Sequence, residues 1–170
     1  GVSTDMPFKG NYDGGLHLIS NLRMYQTGAV GLFNVTESAI MSKIHLIDSE
    51  IKTIRGDAGG IVGINGGTSG ANPSIVQDCI VERSTIICED KTFGSIGGIS
   101  GAWGQVKNCI VKDSTIDGDW AGGISGYNPI MTKDCSALNV TIIGRSEKQI
   151  VSRVKNNIQS CYGYGSINGA

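Results

Sequence analysis

Apolar residues recur at every second position in short runs that end at small or turn-forming residues. Cys79 and Val81 stand two positions apart, and after a small residue at Ser84 the series resumes at Ile86. A period of two alternates side chains between the two faces of a β-strand, whereas a helix needs a period of about 3.6 residues. The pattern therefore predicts short strands separated by tight corners.

The same pattern returns several times along the chain. Weaker copies flank the clear ones: an upstream copy has Ile44 where the others have cysteine, and a downstream copy has Ile158 three residues before Cys161. In the clear copies a Gly-Gly-Ile-x-Gly block precedes a cysteine-containing block, and the pairs of blocks occupy residues 59–63 and 76–86, 97–101 and 106–116, and 122–126 and 132–142.

The length of the repeat indicates the architecture. The cysteine position and its equivalents fall at 44, 79, 109, 135 and 161, with separations of 35, 30, 26 and 26 residues. Such periods are typical of solenoids, in which each repeat stacks on its neighbour. We predict an all-β fold, a parallel β-helix of about five coils with three short strands each. The prediction is one domain over residues 1–170, with an N-terminal cap over 1–30 and repeats over 30–167, cut from a longer protein.

Composition agrees with this interpretation and excludes several classes. Ile and Val together number 34, against 14 for Leu and Ala, and Gly contributes 26 of 170 residues. A helix bundle is excluded, because β-branched residues favour strands. An apolar content of 39% argues against disorder, and a net charge of −1 offers no attraction to nucleic acid or an anionic membrane. No apolar run approaches the ~20 residues that cross a bilayer.

The five cysteines are expected to be structural. No C-x-x-C pair occurs, so zinc-ribbon and thioredoxin patterns are absent from the sequence. Cys79, Cys109 and Cys135 share one repeat position and are predicted to form an inward column of buried thiols. A disulfide between neighbouring coils and a metal-binding thiolate column remain alternatives. Cys88 lies outside this position and is expected in an exposed loop.

Two other repeat positions invite functional hypotheses. Gly59, Gly97 and Gly122 are expected to adopt left-handed turns, and the later glycines of each block to let coils approach closely. The position before the cysteine holds polar residues that would line up outside the coils, for which we predict turn or capping roles, with catalysis or cation binding as the alternative: Asp78, Asn108 and Asp134.

The glycine blocks and the segment Pro7 to Leu22 resemble a known family. The alternation of Gly-Gly-Ile-Val-Gly (59–63) with Ile-x-x-Cys-x-Val is similar to GLUG repeats, glycine-rich modules of bacterial surface and secreted proteins. The N-terminal segment resembles the opening that precedes such repeats, which also occurs in the non-catalytic N-terminal region of immunoglobulin A proteases of the zinc metallopeptidase type. The resemblance implies a right-handed β-helix and an extracellular, bacterial cell-surface location.

The resemblance does not imply peptidase activity for this chain. A zinc peptidase needs H-E-x-x-H, and the two histidines, His17 and His45, lie 28 residues apart with no Glu following either. We therefore expect no catalytic residues, cofactor or metal. The expected function is a non-catalytic module for adhesion, host-protein binding or spacing within a larger protein. The alternative is a carbohydrate-binding or polysaccharide-degrading β-helix.

Ligand contacts are expected at aromatic residues and irregular loops. Trp103, Trp120 and Tyr127 lie near the glycine blocks of adjacent copies and are the candidate ligand-contact residues, as a stacking strip or as a shield for a sheet edge. Segments 66–74 and 89–93 lengthen one repeat. They mark a second candidate contact surface, and variation tolerated at the corners is the favoured alternative. Expected partners are a host or surface glycoprotein, a glycan, or neighbouring domains of the parent chain, with no nucleic acid and no membrane insertion.

Overall fold

The chain folds as a β-solenoid of about five turns, which confirms the predicted fold class. The computed structural model describes residues 6–67, 69–149, 151 and 158–169. Within these ranges there are 22 strands and no helix, and every strand pairing is parallel. The first five residues of the expected cap lie outside the described residues, and so do positions 68, 150 and 152–157 of the expected repeat region, the first of them in the insertion 66–74.

The first three coils consist of short strands that follow one another around the solenoid. The first coil contains β1 (Asn11–Asp13), β2 (Leu18–Ser20), β3 (Arg23–Gln26) and β4 (Phe33–Thr36). The second contains β5 (Ile40–Ser42), β6 (His45–Ile47), β7 (Glu50–Thr53), β8 (Ala58–Gly59) and β9 (Val62–Asn65). The third contains β10 (Ile75–Gln77), β11 (Ile80–Glu82), β12 (Thr85–Cys88), β13 (Ser95–Gly97) and β14 (Ser100–Ala102).

Later coils merge some of these strands into longer ones. The fourth coil contains β15 (Gln105–Lys107), β16 (Ile110–Lys112), β17 (Thr115–Gly122) and β18 (Ser125–Tyr127). The fifth contains β19 (Met131–Lys133) and β20 (Ser136–Gln149), and a partial coil follows with β21 (Ile158–Gln159) and β22 (Tyr162–Gly169). The second and third coils each contain five strands where three were expected, because additional turns divide the coil into shorter strands.

The strands stack into three sheets. One has six strands in the order β1-β5-β10-β15-β19-β21, and another has four in the order β18-β14-β9-β4. The largest has twelve strands and follows the path β2-β6-β11-β16-β20-β17-β12-β7-β3, with β8, β13 and β22 attached. Because β20 pairs with both β16 and β17, this sheet continues around a corner. Equivalent residues of successive coils therefore lie above one another in columns.

The interior is filled by columns of like apolar side chains. Parallel pairing in register places Ile86 against Ile51 on one side and Ile116 on the other. Full burial of such a side chain contributes about 1.5–3 kcal/mol, so the columns are the main source of stability. One of them runs through Met24, Ile51, Ile86, Ile116 and Ile142, and its last member, Ile167, is 49% exposed in the final strand.

Corners of the coils use left-handed residues that are not glycine. The position before the cysteine column has positive φ in five successive copies, at Lys43, Asp78, Asn108, Asp134 and Ser160. The following corner repeats the arrangement at Asn21, Asp48, Arg83, Asp113 and Asn139. Asn and Asp tolerate this conformation better than other residues with a Cβ. The turn role predicted for Asp78, Asn108 and Asp134 agrees with this backbone geometry.

The glycines of the repeated blocks are needed because neighbouring coils leave no space for a Cβ. The expectation of left-handed turns at Gly59, Gly97 and Gly122 is wrong. None of the three has a φ in the left-handed region. A Cβ on Gly98 would overlap the carbonyl oxygen of Gly123 and lie 2.7 Å from Val111 Cγ2. Coils approach too closely there for any side chain, as expected for the later glycines of each block.

The segment expected to be a cap forms the first coil. Strands β1, β2 and β3 pair in parallel with β5, β6 and β7. Phe8 packs on Phe33 with ring centroids 4.9 Å apart, and Tyr12 meets the same ring at 5.4 Å. Phe8 and Phe33 pack against the apolar core at this end of the solenoid.

Candidate functional site

The three candidate aromatic residues are positioned by adjacent strands of the third and fourth coils. Trp120 lies in β17 and pairs with Ser95 of the coil before. Tyr127 ends β18, where it pairs with Ala102 at the end of β14. Trp103 follows Ala102 directly and adopts a left-handed φ of 61°. Stacking of the coils thus brings together residues that the sequence separates.

The rings of these residues form one cluster, which we call the aromatic cluster (Trp103, Trp120 and Tyr127). Tyr127 stands in the middle, since its centroid is 5.0 Å from Trp120 with an interplanar angle of 20°. Its edge meets Trp103 at 5.4 Å and 84°. Both arrangements are favourable for aromatic pairs. All three side chains are half-buried, so part of the cluster remains accessible from the surface.

Trp103 combines a strained backbone with a tightly fitted neighbour. A bulky residue with positive φ is uncommon and costs about 1–2 kcal/mol. Gly70, in the insertion 66–74, lies against its ring, since a Cβ at Gly70 would lie 2.8 Å from two indole carbons. One insertion loop predicted from the sequence therefore borders the aromatic cluster.

The second insertion loop lies against other residues. Glu89 accepts a hydrogen bond from the Tyr25 hydroxyl at 3.0 Å and pairs with Lys52 at 2.6 Å. The guanidinium of Arg55 lies 5.5 Å from the centroid of the Phe93 ring. Because the two loops contact different aromatic residues, they border two separate surfaces.

Sequence reasoning missed the second of these surfaces. Tyr25 lies on β3 and Lys52 on β7, and parallel pairing places them side by side. The ammonium of Lys52 lies 5.4 Å from the centroid of the Tyr25 ring. A sequence signal existed, since both residues follow the same apolar repeat position, at Met24 and Ile51. It was hidden because the first coil was expected to be a cap.

Asp78, Asn108 and Asp134 form the polar column before the cysteines, and two of its members are hydrogen-bonded to each other. The side-chain amide of Asn108 donates to Asp78 Oδ1 at 2.6 Å. The next corner has the same bond, from Asn139 to Asp113 Oδ1 at 2.8 Å. An amide between carboxylates avoids the repulsion of stacked like charges. The contacts support the turn role over the catalytic or cation-binding alternative.

The predicted cysteine column is present. Cys79, Cys109 and Cys135 are buried and free, and Cys161 extends the column towards the last coil. The backbone N–H of Cys109 donates to Cys135 Sγ at 3.5 Å, and that of Cys135 donates to Cys161 Sγ at 3.4 Å. Burial raises the pKa of Cys109 well above its ordinary 9.0. Cys109 is therefore held as the thiol, whereas side-chain hydrogen bonding with Cys109 lowers the pKa of Cys79 and of Cys135.

The exposed position expected for Cys88 is wrong. Cys88 is the last residue of strand β12, and its side chain is 0% exposed. The thiol donates to the Asp90 carbonyl at 3.2 Å, and burial raises its pKa. The loop 89–93 begins one residue later, so its folding back encloses Cys88 in the core.

The histidines take separate local roles. His45 Nε2 lies 3.3 Å from Glu82 Oε2, and Lys112 Nζ lies 3.0 Å from the same oxygen. His17 is exposed and follows the turn at Gly15. Within the described ranges, no group of three or more histidine, cysteine, aspartate or glutamate side chains is arranged to hold a metal ion. No helix long and apolar enough to span a bilayer is found among the same residues.

Comparison of the chain with protein-family models finds no match, and comparisons with curated proteins and with solved structures find none either.

Proposed function

We propose that this chain is a non-catalytic module of a bacterial surface or secreted protein, which binds a host or surface glycoprotein through the aromatic cluster. The observation that carries the proposal is the gathering of Trp103, Tyr127 and Trp120 from separate coils into one half-exposed group. Tryptophan and tyrosine dominate the energetics of protein interfaces, because they bury large areas at low entropic cost.

The strained backbone conformation of Trp103 supports a binding role for the aromatic cluster. Asn128 has the left-handed conformation at the position equivalent to Trp103, with φ 44°. Asparagine accepts this conformation with little cost, whereas tryptophan does not. Strained backbone conformations concentrate at functional sites. The presence of a bulky ring where a small polar residue suffices for the turn therefore supports a contact role for Trp103.

The extracellular, non-catalytic part of the proposal rests on two supports. The first is the resemblance to GLUG repeats and to the non-catalytic N-terminal region of immunoglobulin A proteases. The second is the corner geometry of Asp78 and Asn108, whose hydrogen bond engages a carboxylate that a glycosidase would need for acid–base chemistry. A rigid solenoid that presents side chains to a partner suits adhesion or the accessory region of a larger enzyme.

A second candidate function is carbohydrate binding on the same rings. The nearly parallel Trp120 and Tyr127 rings favour it, since a flat aromatic surface can stack against the apolar face of a sugar. The two candidates differ in what they require of the partner, because protein binding survives removal of the partner's glycans.

Binding of the purified chain to immobilised immunoglobulin A, fibrinogen and mucin, each before and after enzymatic deglycosylation, tests both candidates. We expect saturable binding that Trp103→Ala and Tyr127→Ala each weaken at least about tenfold, the cost of about 1.4 kcal/mol. Tyr162→Ala is the matched control, because Tyr162 is an exposed ring in the last strand. Loss of binding on deglycosylation would select the carbohydrate candidate. Equal binding by all variants would refute a role for the aromatic cluster.

A further inference from the structure

The outer surface of the first three coils contains a groove formed by two depressions with shared walls. The smaller depression has a volume of about 270 Å³ and is lined by Met24, Tyr25 and Lys52 together with Arg23 and Glu50. The larger has about 670 Å³, and its walls include Arg23 and Glu50 again. Its remaining lining residues are Asn21, Asp48, Ser49, Arg83 and Thr85. The groove is distinct from the aromatic cluster in every residue.

One end of the groove is a tyrosine ring held in a fixed orientation. Tyr25 is 62% exposed, yet its hydroxyl donates to Glu89 and Lys52 lies beside its ring. The hydrogen bond to Glu89 also raises the pKa of Tyr25, which keeps the hydroxyl protonated as a donor. A ring fixed before binding loses little entropy when a ligand stacks on it.

The other end presents planar polar groups, also fixed by their partners. Arg83 makes two hydrogen bonds to Asp48, from Nε at 2.9 Å and from Nη2 at 3.0 Å. Arg23 pairs with Glu50 across β3 and β7. Each carboxylate oxygen has a further lone pair and each terminal guanidinium nitrogen a second N–H, so these groups can bond to sugar hydroxyls while they remain paired.

Charge balance decides between neutral and charged ligands. Every cation of the groove has a carboxylate partner: Arg23 with Glu50, Lys52 with Glu89, and Arg83 with Asp48. The local charge is therefore close to zero, which offers no net attraction to an anionic polymer or to a basic or acidic peptide. A polyhydroxylated neutral ligand can hydrogen-bond to these pairs without separating them.

From this geometry we propose that the groove binds a neutral oligosaccharide, with one pyranose ring stacked on Tyr25 and neighbouring hydroxyls on the Arg23–Glu50 and Asp48–Arg83 pairs. The larger depression has a volume suited to a small ligand of a few sugar rings. This site stands independently of the protein-binding role proposed for the aromatic cluster.

A glycan array that carries neutral, sialylated and sulfated oligosaccharides, followed by calorimetric titration with the neutral glycan that binds best, tests the proposal. We expect neutral glycans to bind, and Tyr25→Ala to weaken binding at least about tenfold. Tyr25→Phe keeps the ring and should retain most of the affinity. The matched control is Tyr162→Ala, since Tyr162 is also 62% exposed but lies in the last strand.

The outcomes are separable from those for the aromatic cluster. Weakening by Tyr25→Ala with none by Tyr162→Ala assigns a neutral glycan to the groove, whereas weakening by Trp103→Ala alone assigns it to the aromatic cluster and counts against the groove. Glu50→Gln should weaken binding in the groove, because the amide replaces one acceptor oxygen with a donor. Circular dichroism of each variant checks that the solenoid is intact. The proposal fails if no neutral glycan binds, if binding is indifferent to Tyr25, or if only anionic glycans bind in a salt-sensitive manner.

Discussion

Individual residues in this solenoid are constrained by the distance between coils and by the conformation of the corners. Gly98 has no room for a side chain beneath Gly123, although its φ lies outside the left-handed region. Gly28 shows the opposite case, with φ 92° and nothing within 4 Å of an added Cβ. The two glycines allow steric and conformational requirements to be tested separately.

Gly98→Ala should destabilise the protein by at least about 3 kcal/mol, because a methyl group there meets backbone atoms that cannot move alone. Gly28→Ala should cost only about 1 kcal/mol, the penalty of a left-handed alanine. Urea unfolding followed by circular dichroism measures both variants. Equal losses would show that close packing between the coils does not govern the glycine blocks.

Trp103→Asn should leave the protein more stable than Trp103→Ala does. Both substitutions remove the contacts with Tyr127 and Gly70, but asparagine accepts the left-handed φ at this position, as Asn128 does one coil later. The expected difference is up to about 1 kcal/mol, measured as a shift in the urea midpoint at constant slope. Greater stability of the alanine variant would contradict the strain assigned to Trp103.

At the scale of strands and corners, one hydrogen-bonding arrangement recurs with two side-chain types. Ser84 Oγ donates to the Glu82 carbonyl at 2.8 Å and accepts the Ser49 N–H at 3.1 Å. Cys135 Sγ does the same at the other corner, with the Lys133 carbonyl at 3.1 Å and the Cys109 N–H at 3.5 Å. Ser49, Ser84 and Ser114 form a serine column at one corner, in which each backbone N–H donates to the hydroxyl of the next coil. The cysteine column makes the equivalent hydrogen bonds at the other corner.

Ser84→Ala should cost about 1–3 kcal/mol, because it leaves the buried N–H of Ser49 without an acceptor. Ser84→Cys should lose less than half as much, since sulfur can accept the same bond with weaker strength. Chemical denaturation of both variants provides the comparison. If the cysteine variant were no more stable than the alanine variant, the proposed equivalence of the two columns would be incorrect.

The polar pairs across strands predict a pH dependence. The hydrogen bond from Lys112, with a further one from His45, lowers the pKa of Glu82 below its ordinary 4.5. Stabilisation by this carboxylate is therefore complete above the unfolded pKa and is lost as pH falls through the folded pKa. Glu82→Gln should therefore reduce the fall in the free energy of unfolding between about pH 5 and pH 2.

Thermal unfolding across this pH range measures the effect of Glu82. Lys112→Met supplies the companion variant, because removal of the cation raises the folded pKa of Glu82 and shifts the loss of stability to higher pH. If stability fell equally with pH in the unsubstituted protein, Glu82→Gln and Lys112→Met, the Glu82 carboxylate would not be stabilised by its cationic neighbours.

At the scale of the whole molecule, coils contact their sequence neighbours and the ends differ from the middle. Strand β12 pairs with β7 and β17, whereas β3 pairs only with β7 among the described strands. Parallel stacking makes stability a sum of terms between neighbouring coils. The central coils are therefore expected to open least often.

Amide hydrogen exchange should show the strongest protection in β9 to β16 and the weakest in β1 to β3 and β22. Terminal strands have partners on one side within the described part of the chain, so local opening breaks fewer hydrogen bonds. Mass spectrometry of peptic fragments after timed exchange gives the order. Uniform protection along the chain would indicate one fully cooperative unit.

The repeat register was readable in the sequence at particular residues. Cys79, Cys109 and Cys135 recur at intervals set by one turn of the solenoid, and stacking made their burial predictable. Cys88 was not predictable in this way, because it belongs to no repeated position and its burial depends on how loop 89–93 folds back. The glycine blocks were correctly linked to close approach, but Gly59, Gly97 and Gly122 showed no left-handed φ.

The sequence by itself determined the architecture of this protein, because apolar residues that recur at the same positions of every repeat are buried together when the repeats stack as parallel strands. Only the tertiary structure decided which side chains meet across columns. Tyr25 meets Glu89 over 64 residues of separation, and the ring of Trp103 lies against Gly70. Such contacts depend on the lateral shape of corners and insertions, which obey no period. The sequence therefore named the rings of the aromatic cluster without their contacts, and the groove at Tyr25 emerges only from the folded chain.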